Sequence, residues 1–207
     1  GGAAAYSETA GALSVGAGES TGASSRAAAE QTSPRTVAAR SRTGVGFVNF
    51  AGEALGDPDN RNRILFTTAP VADNAVIGAW ALYNGTNLAS YTAARGVIAA
   101  DDSAYANISA KGPSLLPNDA AAIVRINAEG TSGDIALSAE SDNSLNSLMQ
   151  ATGWDAKVGL TNGQSLKISN VIIGSGMAGL MIGTNTADGL LMPLSVGGAL
   201  TLANHSE

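Results

Sequence analysis

The sequence predicts an all-β chain wound as a right-handed parallel β-solenoid, and three observations carry that expectation. The first is composition: 44% of residues are hydrophobic but only 4% aromatic, and glycine occurs 26 times. The apolar material is therefore mostly Ala, Val, Leu and Ile, which suits thin layers and narrow coils better than a thick core filled by rings. The second is periodicity: short apolar runs recur along the whole chain, several alternating with the period of two that marks a half-buried strand. The third is punctuation by turn dipeptides: Asp57-Pro58, Asn84-Gly85, Gly112-Pro113, Asn162-Gly163, Asp188-Gly189 and Gly197-Gly198. A β-sandwich is the alternative. Short strands with few large residues favour the solenoid, where each coil contributes only a few inward side chains.

In chain order, Leu13/Val15 opens the strand series. Residues 18–44 are poor in large hydrophobes, hold four of the eleven basic residues, and read as a loop-rich coil of small side chains. Within them Ser25 to Gln31 reads as one short helical turn, ended by Ser33-Pro34. Strands are expected at Val45 to Phe50, Ile64/Phe66, Val76/Ile77 and Val97/Ile98, with a second short helical candidate at Asn87 to Ala94. Further strands are expected at Ile123 to Ile126, Ile135/Leu137, Leu145/Leu148, Val158/Leu160, Leu166/Ile168 and Val171 to Ile173. The series closes with Leu180 to Ile182, Leu190 to Val196 and Leu200/Leu202. One phrase repeats loosely: Gly163 to Ser169 and Gly197 to Ala203 each run turn, small residue, then Leu-polar-aliphatic. Residues 1–207 are read as a single solenoid domain or a segment of a longer repeat protein. The start Gly1-Gly2-Ala3, with no Met and no signal peptide, points to a removed targeting segment or a stretch of a longer polypeptide.

Charge narrows the function classes. Charged residues make up 14%, against about 25% in a typical domain, so Ser, Thr, Asn, Gly and Ala must form the surface. That is the composition of a secreted bacterial β-protein, not of a cytosolic enzyme. There is no cysteine, which excludes disulfides, Cys-bound zinc, iron–sulfur clusters and thiol catalysis. The single histidine, His205, argues against His-based metal clusters and Ser-His-Asp chemistry. The net charge of −6 arises after residue 63: residues 64–207 carry five basic and eleven acidic side chains, whereas residues 1–63 carry six of each. The surplus is spread out and reads as solubility rather than cation binding. No basic patch is interleaved with aromatics, so no nucleic acid is expected. No apolar run reaches about 18 residues, so no transmembrane helix is expected.

A more specific signal lies in residues 63–100. Arg63-Ile64-Leu65-Phe66-Thr67-Thr68-Ala69-Pro70 is followed by Ala75-Val76-Ile77-Gly78-Ala79-Trp80-Ala81-Leu82-Tyr83-Asn84-Gly85-Thr86-Asn87-Leu88-Ala89-Ser90-Tyr91, then Gly96-Val97-Ile98-Ala99-Ala100. This segment resembles the autotransporter-associated β-strand-repeat proteins, long exported bacterial surface proteins. Ser7 to Leu13, Asn146 to Leu148 and Gly163 to Ile173 extend the resemblance. The sequence departs from the family pattern at Ala79, where Gly is usual, and at Asn87-Leu88, where Asp-Phe is usual. The lost carboxylate speaks against a cation site there. The resemblance implies a right-handed parallel solenoid displayed outside the cell, with adhesive or architectural roles. Independently of it, Trp80, Tyr83 and Tyr91 gather three large rings beside Gly78 and Gly85; core packing is the expected role, a carbohydrate-stacking platform the other.

Four further patterns invite chemistry. Val171-Ile172-Ile173-Gly174-Ser175-Gly176-Met177-Ala178-Gly179 spells a strand followed by GxGxxG. A dinucleotide site also needs a helix and then an acid about 20 residues on; Thr184 to Gly189 breaks any helix and Pro193 stands in the second strand. A glycine-rich corner is the expectation. Asp57-Pro58-Asp59-Asn60-Arg61-Asn62 opens like a calcium loop, but Asn62 holds the glycine position and Thr68 the distal Glu position, so an Asx/Pro turn is expected. Asp101-Asp102 could seed a glycosidase or lyase site, yet strand neighbours point to opposite faces, and the nearest basic residues, Arg95 and Lys111, have no acidic cluster. Asn84-Gly85-Thr86, Asn107-Ile108-Ser109 and Asn204-His205-Ser206 are sequons by spelling. No residue is assigned a catalytic, cofactor-binding or metal-binding role, and no cofactor is expected. The expected function is a non-catalytic, extracellular, structural or adhesive bacterial solenoid, forming a surface layer or filament. Its expected partners are copies of itself, through strand edges, or cell-surface polysaccharide. The alternative is a carbohydrate-active β-helix enzyme of the lyase or glycoside-hydrolase kind.

Overall fold

A computed structural model describes residues 7–25, 33–38, 40–42, 45–59, 62–70, 75–184, 189–196 and 199–205. The chain is nearly all strand, in stacked parallel ladders that define a β-solenoid. The parallel pairing decides against a sandwich, whose sheets are antiparallel. Contacts divide the chain into two compact units, Gly1–Asp101 and Asp102–Glu207.

In the first unit, one rung comprises β1 (Glu8–Ala10), β2 (Leu13–Val15) and β3 (Glu19–Ala23), and the next β4 (Ser33–Val37), β5 (Arg40–Arg42) and β6 (Phe47–Ala51). A third carries β7 (Asn62–Phe66) and β8 (Ala81–Tyr83). Three parallel ladders result, β1-β4-β7, β2-β5 and β3-β6-β8. Glu8 lies beside Arg35, Ser33 beside Asn62 and Val48 beside Ala81, so successive rungs take up increasing lengths of chain. The core holds Val15, Val37, Val48, Phe50, Ile64, Phe66, Ile77 and Val97 among others. Phe50 meets Phe66 edge-on at 6.0 Å and 85°, and Phe66 lies 5.6 Å from the Tyr91 ring.

Two expectations need correction here. The described part of residues 18–44, expected to be a loop-rich coil, holds three strands, β3, β4 and β5. Strand β3 aligns with β6 along its whole length, from Glu19 beside Phe47 to Ala23 beside Ala51. Backbone partners on the neighbouring rung therefore order a stretch that lacks large side chains. The helical candidate at Asn87 to Ala94 is instead strand β9 (Asn87–Thr92), antiparallel to both β8 and β10 (Gly96–Ala99). Asn84 and Gly85, at φ of 50° and 68°, supply the consecutive left-handed residues that reverse a twisted hairpin. The other candidate turn, Ser25 to Gln31, lies mostly outside the described residues.

The second unit opens with a single 3-10 turn, Asp102–Ala104, then β11 (Ala106–Ser109), β12 (Leu115–Leu116), β13 (Asp119–Ala128), β14 (Ala136–Leu137) and β15 (Asp142–Gln150). There follow β16 (Ala156–Val158), β17 (Ser165–Ile173), β18 (Leu180–Ile182), β19 (Leu190–Pro193) and β20 (Thr201–Asn204). One broad parallel sheet runs β11-β13-β15-β17, with β19 and β20 both on β17. A narrow second face joins β12 to β14 and β16 to β18, bridged by Ile135 and Val158. Between β15 and β17 the register never slips, from Asp142 beside Ser165 through Leu145 beside Ile168 to Gln150 beside Ile173. The core cluster is wholly aliphatic: Leu116, Val124, Ile126, Ile135, Leu145, Leu148, Val158, Leu160, Leu166 and Ile168 lead it.

At one corner the fully buried Asn143 donates from Nδ2 to Leu116 O (2.8 Å) and Pro117 O (3.1 Å), and its Oδ1 accepts from Ala139 N (3.0 Å). It satisfies backbone groups that the turn leaves over. The loosely repeated phrase falls on β17 and β20, which do pair, but with Asn170 beside Thr201. Leu166 stands beside Leu191, not Leu200, so the spacing of the phrase is not the spacing of the rungs.

Candidate functional site

The candidates read from the sequence resolve into structural roles. Trp80, Tyr83 and Tyr91 are partly buried against the first unit's core. Tyr83 Oη donates to Leu55 O at 2.7 Å, and Tyr91 Oη accepts from Phe66 N and donates to Phe66 O. Burial raises the Tyr83 phenol above its ordinary value, with Arg95 opposing and Asp57 adding to the shift. These rings fill a coil rather than build a stacking platform.

The stretch from Asp57 opens with a turn, in which Asp57 Oδ1 accepts from Asp59 N at 2.8 Å. Asn62 is engaged elsewhere, donating to Ser24 O (3.0 Å) and Glu53 O (2.8 Å). Asn60 and Arg61 lie outside the described residues, among which no group of three His, Cys, Asp or Glu converges. The GxGxxG stretch is a corner between β17 and β18. Gly174 N donates to Gln150 O (3.0 Å), Ala178 N to Thr152 O (3.0 Å) and Gly179 N to Asp155 Oδ1 (3.0 Å). These amides are thus committed to the neighbouring rung rather than turned out to a phosphate.

Asp101 and Asp102 do not stand in a strand, so the alternation of strand faces is not what separates them. Asp102 begins the 3-10 turn, and its Oδ1 accepts from Arg125 Nη2 at 2.6 Å. Arg125, nearly buried, also donates from Nε to Asn107 Oδ1 (2.9 Å) and lies 4.2 Å over the Tyr105 ring. The basic residues nearest in sequence go elsewhere: Arg95 Nε donates to Gly56 O and Lys111 Nζ to Glu129 Oε1 (3.0 Å). Of the sequon asparagines, Asn84 is held in its turn by two bonds to Gly52, and Asn107 accepts from Arg125 and Asn127. His205 donates its backbone N–H to Ile173 O.

The second unit's charges instead form struts between rungs. Lys157 Nζ reaches Asp134 Oδ2 at 2.7 Å, and Lys167 Nζ reaches Asp142 Oδ2 at 2.9 Å. Ser165 Oγ donates to Asp142 Oδ1 in a short contact. The Ser165 bond first, then Lys167, holds the Asp142 carboxyl below its ordinary value.

Sequence reasoning missed one place. On the narrow face, a groove of about 300 Å³ is lined by Asp155, Ala156, Lys157, Gly179, Leu180 and Met181. The residue before Asp155 is Trp154, 49% exposed, with Lys111 Nζ 5.5 Å from its ring centroid; Met181 is 52% exposed. The available signal was an isolated indole between Gly153 and Asp155, in a turn where it cannot be core. By its fold the chain is a β-solenoid protein. Compared with protein-family models, with curated proteins and with solved structures, it matches none.

Proposed function

We propose that this chain is a non-catalytic, extracellular, structural and adhesive segment of a bacterial β-solenoid protein, which engages copies of itself or cell-surface polysaccharide. The observation that carries the reading is the use of its acids. Asp102, Glu129, Asp134 and Asp142 each meet a cation far away in sequence, on a neighbouring rung or turn. A polysaccharide-cleaving groove needs carboxyls free to exchange protons across a cleft; here they brace the stack. The weakly charged, glycine-rich composition and the resemblance of residues 63–100 to autotransporter-associated repeat proteins support export. Self-association draws support from β19, which pairs on one side with β17 and exposes Leu190, Leu191 and Met192.

The test is incubation of the purified chain with bacterial envelope polysaccharides, following both co-sedimentation and release of reducing or unsaturated ends, with electron microscopy of the protein alone. Binding or ordered assembly without product release is expected. Product release that disappears in Asp102→Asn or Asp142→Asn would establish the β-helix enzyme instead.

A further inference from the structure

The chain spells Asn-Gly twice, at Asn84-Gly85 and at Asn162-Gly163, and both pairs fall in turns. We infer that Asn162 is a site of spontaneous covalent modification, where the folded chain deamidates itself, while the fold protects the same dipeptide at Asn84. The inference is independent of the adhesive reading.

The chemistry needs the asparagine carboxamide and the next backbone nitrogen to meet. That nitrogen loses its proton and attacks Cγ, closing a five-membered succinimide. The Cγ–Nδ2 bond breaks and its nitrogen leaves as ammonia. Water then opens the ring at either carbonyl, leaving aspartate or isoaspartate. A following glycine favours the step because no side chain shields its nitrogen and its backbone turns freely. In a folded chain the rate is set by how readily the local structure lets the two groups come together.

At Asn84 both groups are held. Gly85 is buried, and its N donates to Asn49 Oδ1 on β6 (2.8 Å), so the nucleophile is engaged. The carboxamide is fixed at both ends by Gly52: Oδ1 accepts from Gly52 N (2.9 Å) and Nδ2 donates to Gly52 O (3.3 Å). Attack there has to break all of these bonds in the hairpin between β8 and β9.

At Asn162 the turn is open. Thr161, Asn162 and Gly163 are all exposed, and Gly163 N meets no acceptor among the described residues. Gly163 has φ of +80°, and a Cβ built on it would find nothing within 4 Å. The fold anchors the flanks instead. Gln164 N donates to Thr161 O (3.0 Å), Thr161 N to Gln164 Oε1 (2.8 Å) and Gln164 Nε2 to Ala139 O (3.3 Å). The product places a new carboxylate, and in isoaspartate a longer main chain, just ahead of Ser165. That is outside the paired register of β17, so the ladder from Ser165 to Ile173 is kept.

The test holds the full chain at physiological temperature and mildly alkaline pH, folded in one sample and in guanidinium chloride in another. Digestion in mild acid, mass spectrometry and enzymatic methylation of isoaspartate then follow each site. In the folded chain Asn162 is expected to convert about tenfold faster than Asn84 or more, since the Asn84 hairpin must first open. In denaturant the two sites should convert at similar rates. The rate at Asn162 should climb with pH, because the attacking nitrogen must lose its proton. Asn162→Gln should remove the first acidic species seen on isoelectric focusing. An Asn162 that stays intact in the folded chain, an Asn84 that keeps pace with it there, the same disparity in denaturant, or an early acidic species that persists in Asn162→Gln would each overturn the inference.

Discussion

The two units use one architecture at two widths. In the first, one rung carries the chain from Glu8 to Arg35, or from Val48 to Ala81. In the second, a shorter path closes the rungs up to β19, from Ala106 to Val124 or from Asp119 to Leu145, and only the step from Asn170 to Thr201 is longer. The three phenylalanines of the chain, Phe47, Phe50 and Phe66, are all in the first unit. There Phe50, Phe66 and Tyr91 form a train of rings, while the second unit's core cluster holds only aliphatic side chains. Rung length sets the cross-section and the cross-section sets the side-chain volume required, because interiors pack to near-crystalline density. A chain with few aromatics places them where the coil is wide.

That difference can be broken from either side. The largest effect is expected from Phe66→Ala, which leaves a cavity between Phe50 and Tyr91 and costs about 3–5 kcal/mol. Hydrogen exchange should show faster opening of peptides from β4, β6 and β7, while peptides from β15 and β17 keep their protection. Loss of protection across β15 and β17 would contradict independent cores. The reverse substitution, Leu148→Phe, puts a ring into the narrow coil, where overpacking costs about 1–3 kcal/mol. Denaturant unfolding that finds it neutral would mean the narrow core has room to spare.

The smallest effect is a pH dependence confined to the struts. The Asp142 carboxyl lies below its ordinary value of 3.8 because Ser165 and Lys167 favour its charged form. Its folded value being lowered, its contribution is complete above the ordinary value and is lost as pH falls through the folded one. Asp142→Asn should therefore melt slightly below the unaltered chain at neutral pH, with the gap closing on acidification. A gap independent of pH would assign the loss to packing.

The fold class was legible because short apolar runs and turn dipeptides survive any variation in rung length. Rung register was not, because the rungs differ in length and the one repeated phrase, at Gly163 and Gly197, spans the wrong interval. Strands β3 to β5 were hidden because their order comes from the neighbouring backbone, which side-chain pattern does not report. Residues 87–92 read as helical because Asn87, Ala89 and Ser90 carry little β preference; the left-handed Asn84-Gly85 before them decides the matter. The candidate site was the least legible part. Trp154 is far in sequence from Gly179, Leu180 and Met181, and only the pairing of β16 with β18 brings Asp155 and Lys157 beside them.

The unvarying register from β15 to β17, which sets Asp142 beside Ser165 and Gln150 beside Ile173, has a genetic meaning. Tandem duplication of one such interval would return the chain to the same phase, with Asn143-like corners and Asp142–Lys167-like struts again in line. An insertion inside β15 or β17 would shift the later residues of that strand out of their columns, whereas one at a turn can be absorbed there, as the unequal rungs of this chain are. For the strands of this stretch, growth by copying a whole interval is conservative and growth by small insertion is not.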